Sequence, residues 1–187
     1  IETALAFQSG RLPKGDGMAF MSNSGGVGDL MHDHAGQENA RMPQLSPATS
    51  KAIRKLVGPD MPLQNPMDCG QAGFADERNY MRVCEAVSKD QQIHMVAFEA
   101  RTPNAPGGKS PEALRELADR TTLPIFAFCR MGHAPSEYGR QFQDEAGIPH
   151  LQSMPETVRA MKALAFYGKR AGRKIPALPK PRGKKAA

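Results

Sequence analysis

Two stretches of this chain carry residue types that could do chemistry. The first, Ser22-Asn23-Ser24-Gly25-Gly26-Val27-Gly28, follows a short apolar run and opens an amphipathic stretch. Glycines let backbone N–H groups crowd together, and a helix start adds partial positive charge, so such a turn can hold an anion. A tight strand-to-helix turn needs the same glycines with no ligand at all, and the residues by themselves leave both readings open. The second stretch, Asn65-Pro66-Met67-Asp68-Cys69-Gly70-Gln71-Ala72-Gly73, also leads small residues into a helix start. There Asp68 can cap backbone amides or accept a hydrogen bond from a ligand, and capping is the commoner role.

Other candidates are weaker. His32-Asp33-His34 with Asp29 is metal-ligand material. On a helix, however, His32 and His34 point to different faces and only Asp29 and Asp33 share one, which favours a solvated polar face. Gly108-Lys109-Ser110 imitates the end of a P-loop, but the position that should hold the first glycine is Pro103, and Pro111 makes Ser110 a helix cap. His133 sits in a loop with no identified carboxylate partner and reads as a surface residue. Cys69, Cys84 and Cys129 are far apart with no C-x-x-C spacing, which fits free thiols in a reducing cytosol and packing as their default role.

The elements that must position these residues alternate in type. Residues 18–21, 39–42, 94–98, 123–128 and 150–152 read as short strands. Residues 27–37, 47–56, 74–89, 111–120, 136–146 and 155–167 read as helices, with a helix-like stretch at the very start of the chain. Ser46-Pro47 is a favourable helix start, Gly147 a favourable stop, and Tyr80, Val83, Cys84 and Val87 form one apolar stripe. Residues 58–68, with Pro59, Pro62 and Pro66, read as a connection. Strand–helix alternation of this kind predicts an α/β fold. The expected form is a three-layer, flavodoxin-like, doubly wound parallel sheet of five strands in the order 2-1-3-4-5. Ligands of such sheets bind beyond the carboxyl ends of the strands at the switch point, here residues 22–28 and 99–108.

Composition sets outer bounds. The chain has 187 residues, enough for one sizeable core, with 40% hydrophobic and 24% charged residues. Its net charge of +6 is concentrated in residues 169–187, which hold eight bases and no acids, so the rest is slightly acidic. That tail reads as a basic, Pro-containing linker following a domain over residues 1–168. Without Trp, and without aromatic residues interleaved with basic ones, the sequence speaks against nucleic-acid binding. No apolar run is long enough for a membrane span, and no secretory leader is visible, so a cytoplasmic setting is expected. A first residue of Ile suggests a piece of a longer polypeptide.

The order of the motifs resembles the NDP-forming (ADP-forming) acyl-CoA synthetases, relatives of succinyl-CoA synthetase. The resemblance rests on Met21 through Gly28, Asp33, Leu45-Ser46-Pro47-Ala48-Thr49 and Asn65-Pro66-Met67-Asp68. Ala146-Gly147-Ile148-Pro149 and Pro155-Glu156 extend it, so that it covers about residues 10–168. Members of that family interconvert acid, CoA and nucleoside triphosphate with acyl-CoA, nucleoside diphosphate and phosphate through a phosphohistidine. The resemblance is to their second flavodoxin-like, CoA-ligase domain. It implies partner domains of CoA-binding Rossmann, phosphohistidine-bearing and ATP-grasp type, and CoA, ATP or GTP, and Mg2+ for the parent enzyme.

For this chain the resemblance implies phosphate held by Ser24, Gly25, Gly26, Gly70 and Gln71, with Asn23, Asn65 and Asp68 shaping the two loops. It implies no catalytic residue, no metal and no cofactor within the chain. The family's serine-histidine-threonine-glycine loop does not occur here, so none of His32, His34 and His133 inherits the phosphohistidine role. Gly70-Gln71-Ala72 is poorer in glycine than the corresponding turn of the succinyl enzymes. The isolated chain is therefore expected to be inactive as an acid–thiol ligase. Two alternatives stand beside this reading. One is a non-catalytic ligand sensor joined to a protein acetyltransferase. The other, an FMN protein, lacks the aromatic residues that flank an isoalloxazine ring.

Overall fold

The computed structural model describes residues 1–59, 61–70, 76–107 and 110–171. Five parallel strands form one sheet: β1 (Met18–Ser22), β2 (Met67–Asp68), β3 (Met95–Glu99), β4 (Ile125–Phe128) and β5 (His150–Leu151). Their order is β2-β1-β3-β4-β5, the doubly wound order expected from the sequence. Seven helices are seen among the described residues. They are α1 (Glu2–Gln8), α2 (Gly25–Gln37), α3 (Pro47–Val57), α4 (Glu77–Ser88), α5 (Pro111–Arg120), α6 (Glu137–Ala146) and α7 (Met154–Gly168).

The three layers follow from period-two alternation in strands that are apolar on both faces. Met18 and Phe20 of β1, with Met95, Ala97, Phe126 and Phe128, pack under α1, α2 and α7. Ala19, Met21, Val96, Phe98, Ile125 and Ala127 face the opposite way and pack under α3, α4, α5 and α6. The predicted stripe of α4 is buried at Tyr80, Val83, Cys84 and Val87. Tyr80 stacks edge-on against Phe98 at 6.3 Å.

Local signals set several helix ends. Ser46 accepts from Thr49 N at 3.2 Å with Pro47 inside α3, and Asp76 accepts from Arg78 N and Asn79 N at the start of α4. Gly147 ends α6 in the left-handed region at φ 65°. Ser110 occupies the N-cap position of α5, but its hydroxyl pairs with Glu112 instead of capping the backbone. Gly108 and Lys109 lie outside the described residues, as does the tail from residue 172 onward.

One strand is not where the sequence places it. Residues 39–42 are not a strand: Asn39 takes φ 50°, and Arg41 O accepts from Met18 N at 2.9 Å beside the start of β1. The second strand is instead Met67–Asp68, at the end of the Pro-rich stretch read as a connection. Only two residues pair, Met21 with Met67 and Ser22 with Asp68, so there is too little chain for a hydrophobic period to show.

Candidate functional site

The site is built where β1 and β2 end side by side. Cys69 N donates to Ser22 O at 2.7 Å, which extends the β1–β2 pairing one residue beyond the strands. From there the chain turns into α2. Ser24 is the N-cap residue in an extended conformation, and its side chain makes no capping bond. Val27 N and Gly28 N both donate to Ser24 O, at 3.1 and 3.2 Å. The N–H groups of Gly25 and Gly26 have no acceptor among the described residues, as the first donors of a helix require of a neighbour or ligand. Both glycines are exposed.

The second loop is fixed by Asn65, which is fully buried. Its amide donates to Met18 O at 2.7 Å and Pro43 O at 2.9 Å, and its carbonyl accepts from Phe20 N at 3.1 Å. One side chain thus bonds the free edge of β1 in the place where β2 has not yet begun. Asp68 Oδ1 accepts from Gly70 N at 2.8 Å, and Gly70 sits at φ 56°, a conformation that favours glycine. The other carboxylate oxygen faces Gly25: a Cβ added there would lie 3.3 Å from Asp68 Oδ2.

The two loops therefore share one cleft of about 440 Å³, lined by Gly25, Gly28, Asp29, Pro66, Asp68 and Gly70 together with Val57, Met61, Pro62 and Gln64. Of the residues expected to hold phosphate, Gly25 and Gly70 line it, and Ser24 and Gly26 adjoin it in sequence. Gln71 lies outside the described residues. Asn23 is half-buried, and its Oδ1 is enclosed without a hydrogen-bond partner among the described residues.

A third strand end is tied to this site through Ser22: the sequence pointed to the 99–108 loop, but singled out neither Glu99 nor Arg130. Ser22 Oγ donates to Glu99 Oε2 at 2.6 Å and accepts from Ser24 N at 3.1 Å. Arg130, just past β4, pairs with the same carboxylate through Nε and, at 3.3 Å, through Nη2. That pairing raises the Arg130 pKa above its ordinary value. Tyr80 adds a hydroxyl donated to Met21 O at 3.1 Å. The available signal was a glutamate closing an otherwise apolar strand.

The remaining candidates separate from the cleft. His32 and Asp33 are exposed and His34 half-buried along α2, and no group of three metal-ligating side chains occurs among the described residues. His133 lines a separate cleft of about 380 Å³ with Glu99, Arg101, Cys129 and Arg130, and its backbone N donates to Gln152 Oε1 at 3.0 Å. Cys69 is buried. Desolvation, with the neighbouring Asp68 charge, pushes its thiol up to about 12, which suits packing and not nucleophilic chemistry. No helix among the described residues is long and apolar enough to cross a membrane.

Comparison with known proteins agrees with the fold. No family model matches the chain. It is 24% identical over 168 residues to the alpha subunit of acetate–CoA ligase [ADP-forming] II of Pyrococcus furiosus, covering 86% of this chain and 36% of the relative. It is 27% identical over 173 residues to trans-feruloyl-CoA synthase FCS1 from an unknown prokaryotic organism, covering 90% of this chain and 24% of the relative. The chain thus spans about a third of one relative and a quarter of the other.

Among solved structures, PH0766 from Pyrococcus horikoshii OT3 superposes with a TM-score of 0.73 at 23% identity, over 92% of this chain and 41% of that one. The dinucleotide forming acetyl-coenzyme A synthetase 1 of Ca. Korarchaeum cryptofilum, in complex with phosphate and ADP, gives 0.68 at 18% identity, over 91% of this chain and 36% of that one. These two establish the fold, and the named sequence relatives are CoA ligases. In its sequence relatives and in its fold, the chain resembles the CoA-ligase domain of the ADP-forming acyl-CoA synthetases.

Proposed function

We propose that this chain is the second flavodoxin-like domain of an NDP-forming acyl-CoA ligase, and that its cleft stabilises a phosphoryl group carried on a histidine of another domain. The observation that carries the reading is the convergence of Gly25, Asp68 and Gly70 in one cleft at the N-terminus of α2. Orphan N–H groups and the helix dipole there offer fixed partial positive charge. Preorganised amides of this kind stabilise phosphoryl charge without supplying a nucleophile. On this reading the N–H groups of Gly25 and Gly26 supply the contacts, with Ser24, Gly70 and Gln71 beside them. The Ser24 and Gly70 N–H groups are already bonded to Ser22 and Asp68, and Asn23, Asn65 and Asp68 hold the loops.

The parent enzyme would couple an acid, CoA and ATP or GTP to acyl-CoA, nucleoside diphosphate and phosphate. Its CoA-binding, phosphohistidine and ATP-grasp domains would be this chain's partners, and CoA, nucleotide and Mg2+ would bind there. The chain alone would turn over nothing.

The test is titration of the 15N-labelled chain with inorganic phosphate. The Gly25 and Gly26 amide resonances are expected to shift together and saturably, while amides of α5 stay still. A flat response at both glycines removes the phosphate reading. ADP formation by the chain alone, in the presence of acid, CoA and ATP, would overturn the assignment of chemistry to other domains.

A further inference from the structure

We propose that Glu99 is a positioning residue for the glycine turn: it orients the Ser22 hydroxyl so that the oxygen holds the Ser24 N–H and fixes the first turn of α2, with Arg130 as its counter-charge. A hydroxyl has a single proton to donate. Ser22 Oγ lies 2.6 Å from Glu99 Oε2 and 3.3 Å from Ser24 O, so the carboxylate takes that proton. The lone pairs then point back at Ser24 N, 3.1 Å away. Ser24 is the N-cap residue, directly before the two glycines whose N–H groups have no acceptor among the described residues.

A carboxylate in this place needs a reason. The Glu99 side chain is only 14% exposed, and burying a charge is costly unless it is paired. Its negative charge would also oppose an anion at the turn. Arg130 answers both difficulties by bonding both carboxylate oxygens from beyond β4. The result ties the ends of β1, β3 and β4 into one chain of bonds: Ser24 N to Ser22, Ser22 to Glu99, Glu99 to Arg130. The hydroxyl is thereby set before any ligand arrives, which lowers the cost of ordering the turn.

The phosphate part of this inference rests on the reading of the cleft given above, so the experiment carries two readouts. Hydrogen exchange of the Ser24 amide reports the bond chain directly, and phosphate titration of Gly25 and Gly26 reports its use. In Glu99→Ala, Ser24 exchange is expected to quicken by about tenfold, as loss of a charge-assisted bond implies, while exchange at Phe20 in β1 is unchanged. Ser22→Ala, which removes only the hydroxyl, should do the same, and the double variant should add nothing further. Glu99→Gln, still able to accept from Ser22, should restore most of the protection.

Phosphate affinity should fall by about tenfold in the alanine variants and recover in Glu99→Gln. Unchanged Ser24 exchange in Glu99→Ala and Ser22→Ala overturns the inference, as do effects of the two that simply add. If Glu99→Ala does not fold, Ser22→Ala decides the same bond. A wild-type chain that ignores phosphate removes the phosphate reading alone, and Ser24 exchange still decides the role of Glu99.

Discussion

Asp68 Oδ2 stands 3.3 Å from the point that a Cβ on Gly25 would occupy, so the two loops of the cleft touch where a side chain would otherwise be. The contact is tight without being prohibitive, and Asp68 is held on its other oxygen by Gly70 N. Gly25→Ala should therefore leave stability within about 1 kcal/mol of wild type, since alanine also favours the helix. Phosphate binding should weaken several-fold as Asp68 is pushed aside. Thermal melts and phosphate titration of the same samples check this. As a control, Gly36→Ala meets nothing within 4 Å and should stabilise the chain by about 0.5–1 kcal/mol.

Asn65 is the side chain on which β1 depends where β2 is absent. Asn65→Ala strips buried partners from Met18 O and Phe20 N, and each orphaned backbone group costs about 1–3 kcal/mol. The expected loss is about 2–4 kcal/mol, read from urea denaturation as a lower midpoint with an unchanged slope. Asn65→Asp should not rescue it, because a carboxylate donates to neither carbonyl. A loss below about 0.5 kcal/mol would show that water replaces these bonds without penalty.

Acid stability should depend on Asp90. Burial alone would raise its pKa, but bonds from Gln92 N, Thr49 and Ser46 outweigh that and hold it below the ordinary aspartate range. A group whose pKa is depressed by folding stabilises the native state above its unfolded pKa, about 3.9 for aspartate. That contribution is lost as the pH falls through the lower, folded value. Asp90→Asn should be less stable than wild type at pH 7, and the gap should close as the pH falls below about 3.9 and through the lower, folded value. A gap independent of pH would remove the carboxylate charge from the explanation.

All three cysteines are buried, and burial pushes both Cys69 and Cys84 well above the ordinary thiol range. The native chain should therefore label only very slowly with a thiol reagent at pH 8, at a rate set by opening of the structure. Unfolding in denaturant should release three reactive thiols. Fast native labelling at Cys69 would restore it as a candidate for chemistry.

Much of the fold is legible in the residues themselves. The Ser46-Pro47 start, the Gly147 stop and the apolar stripe of α4 are local signals, and each stands where the sequence puts it. The second strand is not local. Residues 39–42 have enough apolar character for a strand, yet Met67–Asp68 takes that place. What selects it is the Asn65 side chain docked on β1 and the two-residue register of Met21 with Met67 and Ser22 with Asp68. A strand of two residues has no periodicity to read.

The sequence by itself determined the alternation of helix and strand and the two glycine turns, because these follow from patterns within a few turns of chain. The sheet order followed from that alternation through the handedness of parallel crossovers, not from any local pattern. Only the tertiary structure decided that Gly25, Asp68 and Gly70 line a single cleft, and that Glu99 and Arg130 are joined to Ser22. The reason is distance along the chain: Ser22 and Glu99 are separated by 77 residues, and Glu99 and Arg130 by 31. Such pairs meet only when parallel strands β1, β3 and β4 are laid side by side with their carboxyl ends at one edge of the sheet.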